Sequence, residues 1–209
     1  HAGAGIGGGY RAVGNNITIS GGTVTALSTS PNSYNRGYGI GSGWGAQGSI
    51  PTVIGGNIKA SSLYAVKGED GDKSYKAYPA RVDLLLLAGK NAAVGNPKLQ
   101  SYNTKTGETE TISYDLSNSC TLEDGYLYLC LPADTEETVT RLVFENTVYE
   151  ATVEMLAYDG SKFSDFILKS STDGKADYGD VPREEVPEDG IIPDGIWMAG
   201  LQVDGYTYT

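Results

Sequence analysis

The feature of this sequence that most limits its fold is an internal repeat near the N-terminus. The block at residues 3–26 aligns without a gap with the block at residues 37–60, at a spacing of 34 residues. Self-similarity at a fixed period is typical of stacked architectures, in which each repeat adds one structural unit. Identical residues occur 34 positions later for Gly3, Gly5, Ile6, Gly7, Gly9, Ala12, Gly14, Thr18, Gly21, Gly22 and Ala26.

Each block alternates apolar and polar residues as a short β-strand does. The runs 17–19 and 24–26 each place two apolar side chains on one side of the chain. Gly21 and Gly22 stand between these runs, where the chain must turn with backbone conformations that other residues avoid. We therefore predict that residues 1–61 form two coils of a glycine-rich parallel β-solenoid, with each strand paired to its equivalent in the next coil.

The rest of the chain also has the short, turn-punctuated apolar runs of an all-β protein. We predict an antiparallel β-sandwich of Ig-like size over residues 62–158 and an acidic, proline-containing linker over 159–195. Residues 196–209 then return to strand-like spacing, as the first strand of a truncated Ig-like module. The strands predicted for the sandwich are 63–66, 80–87, 111–116, 126–131, 138–145 and 147–156, the last two forming a hairpin.

The charge of the chain argues against two classes of partner. The net charge is −11, and the basic residues are scattered rather than clustered. Nucleic acid is therefore excluded as a partner, and an acidic surface disfavours contact with anionic lipid. The longest apolar run, 82–88, is too short to span a bilayer and contains Asp83. Because no signal peptide precedes the repeat, we expect the sequence to be a piece of a longer protein.

The residue inventory offers little for catalysis. His1 is the single histidine, so neither a histidine-based triad nor a histidine metal site is predicted, and we expect no cofactor. The first block contains a GxGxxG pattern, but no strand precedes it and no helix follows, which argues against nucleotide binding. A polysaccharide-degrading β-helix enzyme is an alternative. The coils, however, carry only Arg11, Arg36 and Lys59 as charged residues, and the carboxylates fall in turns and linkers.

The two cysteines lie on either side of a predicted turn. If residues 124–126 form a hairpin loop, Cys120 and Cys130 become a directly opposed cross-strand pair. A disulfide there would fit an exported protein. The alternative is two free, buried thiols.

Aromatic residues of the coils are the candidate binding residues. Tyr10 and Trp44 occupy equivalent repeat positions, and Tyr34 and Tyr38 lie nearby in the sequence. Stacked one coil apart, at roughly 4.8 Å, Tyr10 and Trp44 would form an aromatic strip on which sugar rings could lie. The alternative is that these rings shield the glycine-rich bend and fill the coil interior.

The segments GAGIGGG (3–9) and ITISGGTVTA (17–26) resemble the glycine-rich repeats of very large surface proteins of anaerobic gut Firmicutes. In those proteins a GGSIKAS-like end of the repeats, here GGNIKASS (55–62), is followed by a β-domain with a DGKLYLYLP-like strand, here residues 124–132. The final stretch, 194–209, resembles the first strand of the Ig-like modules that follow in tandem.

This resemblance implies a secreted protein displayed on the bacterial cell surface, with an adhesive or scaffolding role and no catalytic residue. The implied partners are the adjacent modules of the same polypeptide. Host or plant glycans, or a host surface protein, are the external partners we expect.

Overall fold

The computed structural model describes residues 2–28, 36–83, 97–144, 147–156 and 160–171, together with the backbone of two short strands near the C-terminus. The chain is all-β: strands make up 52%, and no described residue is helical. Consequently, within the described part, no helix is long and apolar enough to cross a membrane. Residues 172–195 of the predicted linker lie outside the described residues. Of residues 196–209, only β13 (Gln202–Val203) and β14 (Tyr206–Thr207) are described.

The two repeats stack as parallel strands. β1 (Ile6–Gly7) pairs with β3 (Ile40–Gly41), and β2 (Thr18–Ala26) pairs with β4 (Thr52–Ala60). The partners in both pairs are mostly 34 residues apart, so the prediction that each repeat strand pairs with its equivalent is confirmed. The register shifts only around the paired glycines of each block, where the strand bends. Hereafter, coil 1 is residues 3–26 and coil 2 is residues 37–60.

A third layer follows coil 2 and continues the parallel pairing. Ile40 bridges to Leu63, and Thr52 of β4 pairs with Lys67 of β5 (Val66–Asp70). β5 then turns back as a hairpin into β6 (Lys73–Asp83). The sheet therefore runs without interruption across the boundary predicted at residues 61 and 62. The repeat gives no sign of this layer, because its sequence does not follow the 34-residue pattern.

Six further strands, β7 to β12, complete the described body of the chain. β6 pairs with β9 (Tyr126–Pro132) and with β12 (Ser164–Ser171), and the order continues through β11, β10, β7 and β8. The sheet is mixed rather than purely antiparallel, because β12 is parallel to β6. The hairpin predicted for the last two strands is confirmed by the antiparallel pairing of β10 with β11. The remaining bounds are β7 Lys98–Asn103, β8 Thr109–Thr111, β10 Thr138–Phe144 and β11 Thr147–Ala151.

β12 lies inside residues 159–195, which the sequence analysis assigned to a linker. Its side chains nevertheless alternate: Phe166 is buried and Leu168 half-buried, while Ile167 is exposed. The pattern is short and is followed by acidic, proline-rich sequence, which is why composition alone favoured a linker. In the structure, β12 fills the position between β6 and β11.

Two clusters of buried side chains form the core. The first combines the coils with the start of the third layer and includes Ile40, Val53, Ile58, Leu63 and Cys130. The second lies in the body formed by β6 to β12 and is built from larger side chains. Its fully buried members include Leu127, Leu129, Leu131, Leu142 and Phe144.

Candidate functional site

Parallel stacking of the repeats brings Tyr10 and Trp44 together. Their ring centroids are 5.6 Å apart and the ring planes differ by 9°, so the rings are stacked on each other. The guanidinium carbon of Arg11 lies 5.3 Å from the centroid of Tyr10. Each ring of the stack covers one face of the other. Less aromatic face is therefore free for a sugar ring than two separate rings would offer.

Tyr38 lies in a different aromatic pair, one layer further along. Its ring centroid is 5.1 Å from that of Tyr64, with the planes tilted by 53°. Burial, followed by the neighbouring Tyr64, raises the pKa of Tyr38 above its ordinary value. Tyr34, the fourth predicted binding residue, lies outside the described residues. Tyr64 escaped the sequence analysis because it belongs to the third layer, which does not follow the repeat.

Tyr38 separates two surface cavities. One, of about 550 Å³, places Trp44 beside Arg36 and Gln47. The other, of about 600 Å³, places Tyr64 and Tyr78 beside Lys76 and the exposed Met155. The Lys76 Nζ lies 5.6 Å from the Tyr78 ring centroid. Aromatic walls with a few polar groups at their edge suit small organic ligands that have both apolar faces and hydroxyl groups.

The cysteines do not form the predicted pair. No disulfide joins them: Cys120 is exposed and Cys130 is buried. The chain does turn at Gly125, whose N–H donates to the Leu122 carbonyl at 2.8 Å. The hairpin fails because β9 uses its hydrogen bonds on β6, placing Cys130 opposite Pro79. Burial raises the pKa of the Cys130 thiol to about 12.

The chain around Cys120 binds the side of the coil stack instead. We call residues 114–120 the cross-coil segment. It bonds to coil 2, where the Tyr114 hydroxyl donates to the Gly56 carbonyl at 2.9 Å. It also bonds to coil 1, where the Cys120 N–H donates to the Thr23 hydroxyl at 2.8 Å and the Ser119 hydroxyl donates to the Gly22 carbonyl at 3.1 Å. The segment therefore ties both coils to the body.

Asn57 completes this connection from within the coil core. Its side chain is fully buried, and its Oδ1 accepts the Tyr128 N–H at 2.8 Å. Its Nδ2 donates to the carbonyls of Cys120 and Tyr126. One amide side chain thus connects coil 2 to the cross-coil segment and to β9. Asn57 is the repeat equivalent of Thr23, and nothing in the sequence distinguished it as a junction residue.

Two ion pairs connect β6 and the turn before β9 to neighbouring elements. Lys59 of coil 2 pairs with Asp124, whose Oδ2 also accepts the Tyr128 hydroxyl at 2.8 Å. Arg81 of β6 pairs with Asp165 of β12. No group of three or more histidine, cysteine or acidic side chains able to hold a metal ion occurs among the described residues. The Lys59–Asp124 pair joins coil 2 to the turn before β9, and the Arg81–Asp165 pair joins two neighbouring strands.

The stacked rings and one cavity therefore lie on the coils, and the other cavity lies where coil 2 meets the third layer and the body. The chain was compared with protein-family models, with curated proteins and with solved structures, and none of them matched it.

Proposed function

We propose that this chain is a non-enzymatic structural and adhesive module of a bacterial cell-surface protein. In it, the end of a glycine-rich parallel β-solenoid is joined to a β-sandwich. The observation that supports this best is the continuous sheet from β2 to β8, reinforced at the junction by Asn57 and the cross-coil segment. A junction with this many backbone hydrogen bonds suits a protein that must hold its parts in a fixed relation.

The mechanical part of this proposal predicts that coils and body unfold together. Trp44 and Trp197 are the two tryptophans, so the Trp197→Phe variant leaves Trp44 as a fluorescence probe inside coil 2. We expect its denaturation curve to coincide with that of the whole chain followed by circular dichroism. A Trp44 transition at clearly lower denaturant would contradict a rigid junction.

The location can be tested on the source bacterium. Antibodies raised against this chain should stain intact cells, and brief protease treatment of those cells should remove the staining. Staining that appears only after the cells are permeabilised would rule out surface display.

Carbohydrate binding is the second candidate function, and the two cavities on either side of Tyr38 favour it. Tyr38 lines both cavities. Tyr64, Tyr78 and Lys76 line one of them, and Trp44 and Arg36 line the other. Host or plant glycans present both the apolar ring faces and the hydroxyl groups that such walls accept.

A glycan array tests this candidate. We expect saturable binding that is lost in Tyr38→Ala and Tyr64→Ala. Tyr10→Ala is the control, because Tyr10 is an exposed tyrosine of coil 1 that lines neither cavity. Loss in Tyr10→Ala and Trp44→Ala alone would move the site to the stacked pair. If no glycan on the array binds, carbohydrate binding is wrong and the structural role remains.

A further inference from the structure

Equivalent residues of the two coils differ sharply in burial. Gly5, Ile6, Gly7 and Gly9 of coil 1 are exposed, while their equivalents in coil 2 are all buried. The exposed fraction falls from 37% for Ile6 to 0% for Ile40. Coil 2 lies between coil 1 and the third layer, whereas none of the described strands pairs with the other side of coil 1, which we call its open face. The buried equivalents in coil 2 are Gly39, Ile40, Gly41 and Gly43.

Gly43 shows why coil 2 needs glycine where two coils meet. A Cβ on Gly43 would collide with the carbonyl oxygen of Gly9, one coil away. The same comparison at Gly56 places a Cβ 2.8 Å from the carbonyl oxygen of Gly22. These glycines allow the backbone of one coil to lie directly against the backbone of the next.

Gly9 is the repeat equivalent of Gly43, but no close contact requires glycine at position 9. A Cβ on Gly9 would meet no atom within 4 Å, and its backbone is not in the left-handed region that favours glycine. Neither contact nor conformation therefore requires glycine at this position in the structure. Glycine would be required at position 9 if another coil stacked on coil 1. A carbonyl of that coil would then lie against Gly9, as the Gly9 carbonyl lies against Gly43.

The backbone of coil 1 presents the matching hydrogen-bonding groups. The Ile6 N–H donates to the Gly39 carbonyl at 2.9 Å, and the Gly8 N–H donates to the Gly41 carbonyl at 2.9 Å. The Ile40 N–H likewise donates to the Ser62 carbonyl, so at this position of the repeat the N–H of each coil donates to the following layer. Elsewhere bonds run the other way, as from the Gly43 N–H to the Ala12 carbonyl. By the repeat equivalence, the exposed Gly5 and Gly7 would receive such bonds from a coil stacked on the open face.

We propose that the open face of coil 1 binds a further coil of the same glycine-rich repeat, parallel and in register, with Gly9 in the contact. The occupant is identified by its chemistry: glycines where backbones meet, one isoleucine over Ile6, and N–H groups directed at Gly5 and Gly7. This inference rests on the proposed solenoid architecture and adds the partner of its open face.

The test inserts a second copy of residues 3–36 directly before Gly3 in the full chain. The copy then joins coil 1 through the same ten-residue connection that joins coil 1 to coil 2. We compare Gly9→Ala and Gly43→Ala in the original and the extended chain by thermal unfolding. Gly43→Ala should lower the midpoint by about 5 °C in both chains. Gly9→Ala should shift it by less than ~1 °C in the original chain and by about 5 °C in the extended chain.

The outcomes distinguish a failure of this inference from a failure of the proposed solenoid architecture. If Gly43→Ala has no effect in the original chain, the coil contact itself is wrong. If Gly43→Ala destabilises but Gly9→Ala stays neutral in the extended chain, only the docking inference is wrong. If the original chain dimerises and Gly9→Ala weakens the dimer, the occupant is a second copy and the proposal is overturned.

A readout independent of stability guards against an extended chain that folds poorly. Ile6→Cys should react readily with a thiol reagent in the original chain, as its exposure predicts, and become protected in the extended chain. Peptide mapping distinguishes this thiol from the exposed Cys120. Equal labelling of position 6 in both chains would overturn the proposal.

Discussion

The coils and the body hold their strands together by different means. In the coils the backbones approach so closely that a Cβ on Gly43 or Gly56 would collide with the neighbouring coil, and the buried side chains are few. In the body, Leu142 and Phe144 are fully buried in a larger apolar cluster. Because apolar stabilisation scales with buried area, the body supplies more of it than the coils do. The coils therefore depend on their junction with the body.

The largest effect expected from this comparison is in the body. Phe144→Ala removes a fully buried ring and should cost about 3–5 kcal/mol of unfolding free energy. Ile167→Ala, on the exposed side of β12, is the control and should cost below ~1 kcal/mol. Chemical denaturation measures both. A loss below ~1 kcal/mol for Phe144→Ala would mean that this cluster does not dominate stability.

The junction should be the next most sensitive place. Asn57→Ala leaves the buried Tyr128 N–H and the carbonyl groups of Cys120 and Tyr126 without the amide, at a cost of about 2–3 kcal/mol. Thr23→Ala is the matched control. Thr23 is the repeat equivalent of Asn57 in coil 1, but its side chain is exposed, so its loss should cost about 1 kcal/mol or less. With Trp44 as probe, Asn57→Ala should also separate the coil transition from that of the body. Coincident transitions with an unchanged midpoint would show that the junction does not depend on this amide.

Alkaline pH should weaken the coil core, because Cys130 is buried there. Its folded pKa is about 12 against an ordinary value of 9.0, so between these values the unfolded chain loses a proton that the folded chain keeps. Raising the pH therefore favours unfolding, by about 2 kcal/mol at pH 10.5 from this group.

The Cys130→Ala variant isolates this contribution. Its stability should fall less between pH 8 and pH 10.5 than that of the parent chain, while Cys120→Ala should follow the parent. Some pH dependence will remain in both variants, because burial also raises the pKa of Tyr75 to about 12. Identical pH profiles for Cys130→Ala and the parent would contradict a buried thiol at this position.

The smallest expected effect concerns backbone conformation within coil 1. Gly22 has a φ of 82° but open space around it, so Gly22→Ala should cost about 1 kcal/mol from conformation alone. Gly56→Ala should cost more, because a contact with the Gly22 carbonyl is added to a φ of 95°. Equal losses at both positions, measured by chemical denaturation, would mean that the close approach of the coils adds nothing.

Local patterns predicted a considerable part of this fold. The 34-residue spacing fixed the parallel register of β2 on β4, since equal spacing brings identical residues opposite each other. The short connection before Thr147 predicted the hairpin of β10 and β11. Tyr10 and Trp44 were placed as neighbours for the same reason as the strands that carry them.

Other features had no local signal. The partner of β9 is β6, almost fifty residues earlier in the chain. That choice, rather than the turn at Gly125, decided that Cys120 and Cys130 stay apart. No local pattern predicted the cavity lined by Tyr38, Tyr64 and Tyr78. These residues come together only when the third layer pairs with coil 2.

The sequence by itself therefore determined that the chain is all-β, that its repeats stack in parallel and where glycine must lie between them. These properties depend on spacing and alternation along the chain, which a single segment carries. The tertiary structure alone decided the insertion of β12 between β6 and β11, the separation of the cysteines and the role of Asn57. Pairing between distant strands depends on which side chains pack together after folding, and no segment carries that information alone.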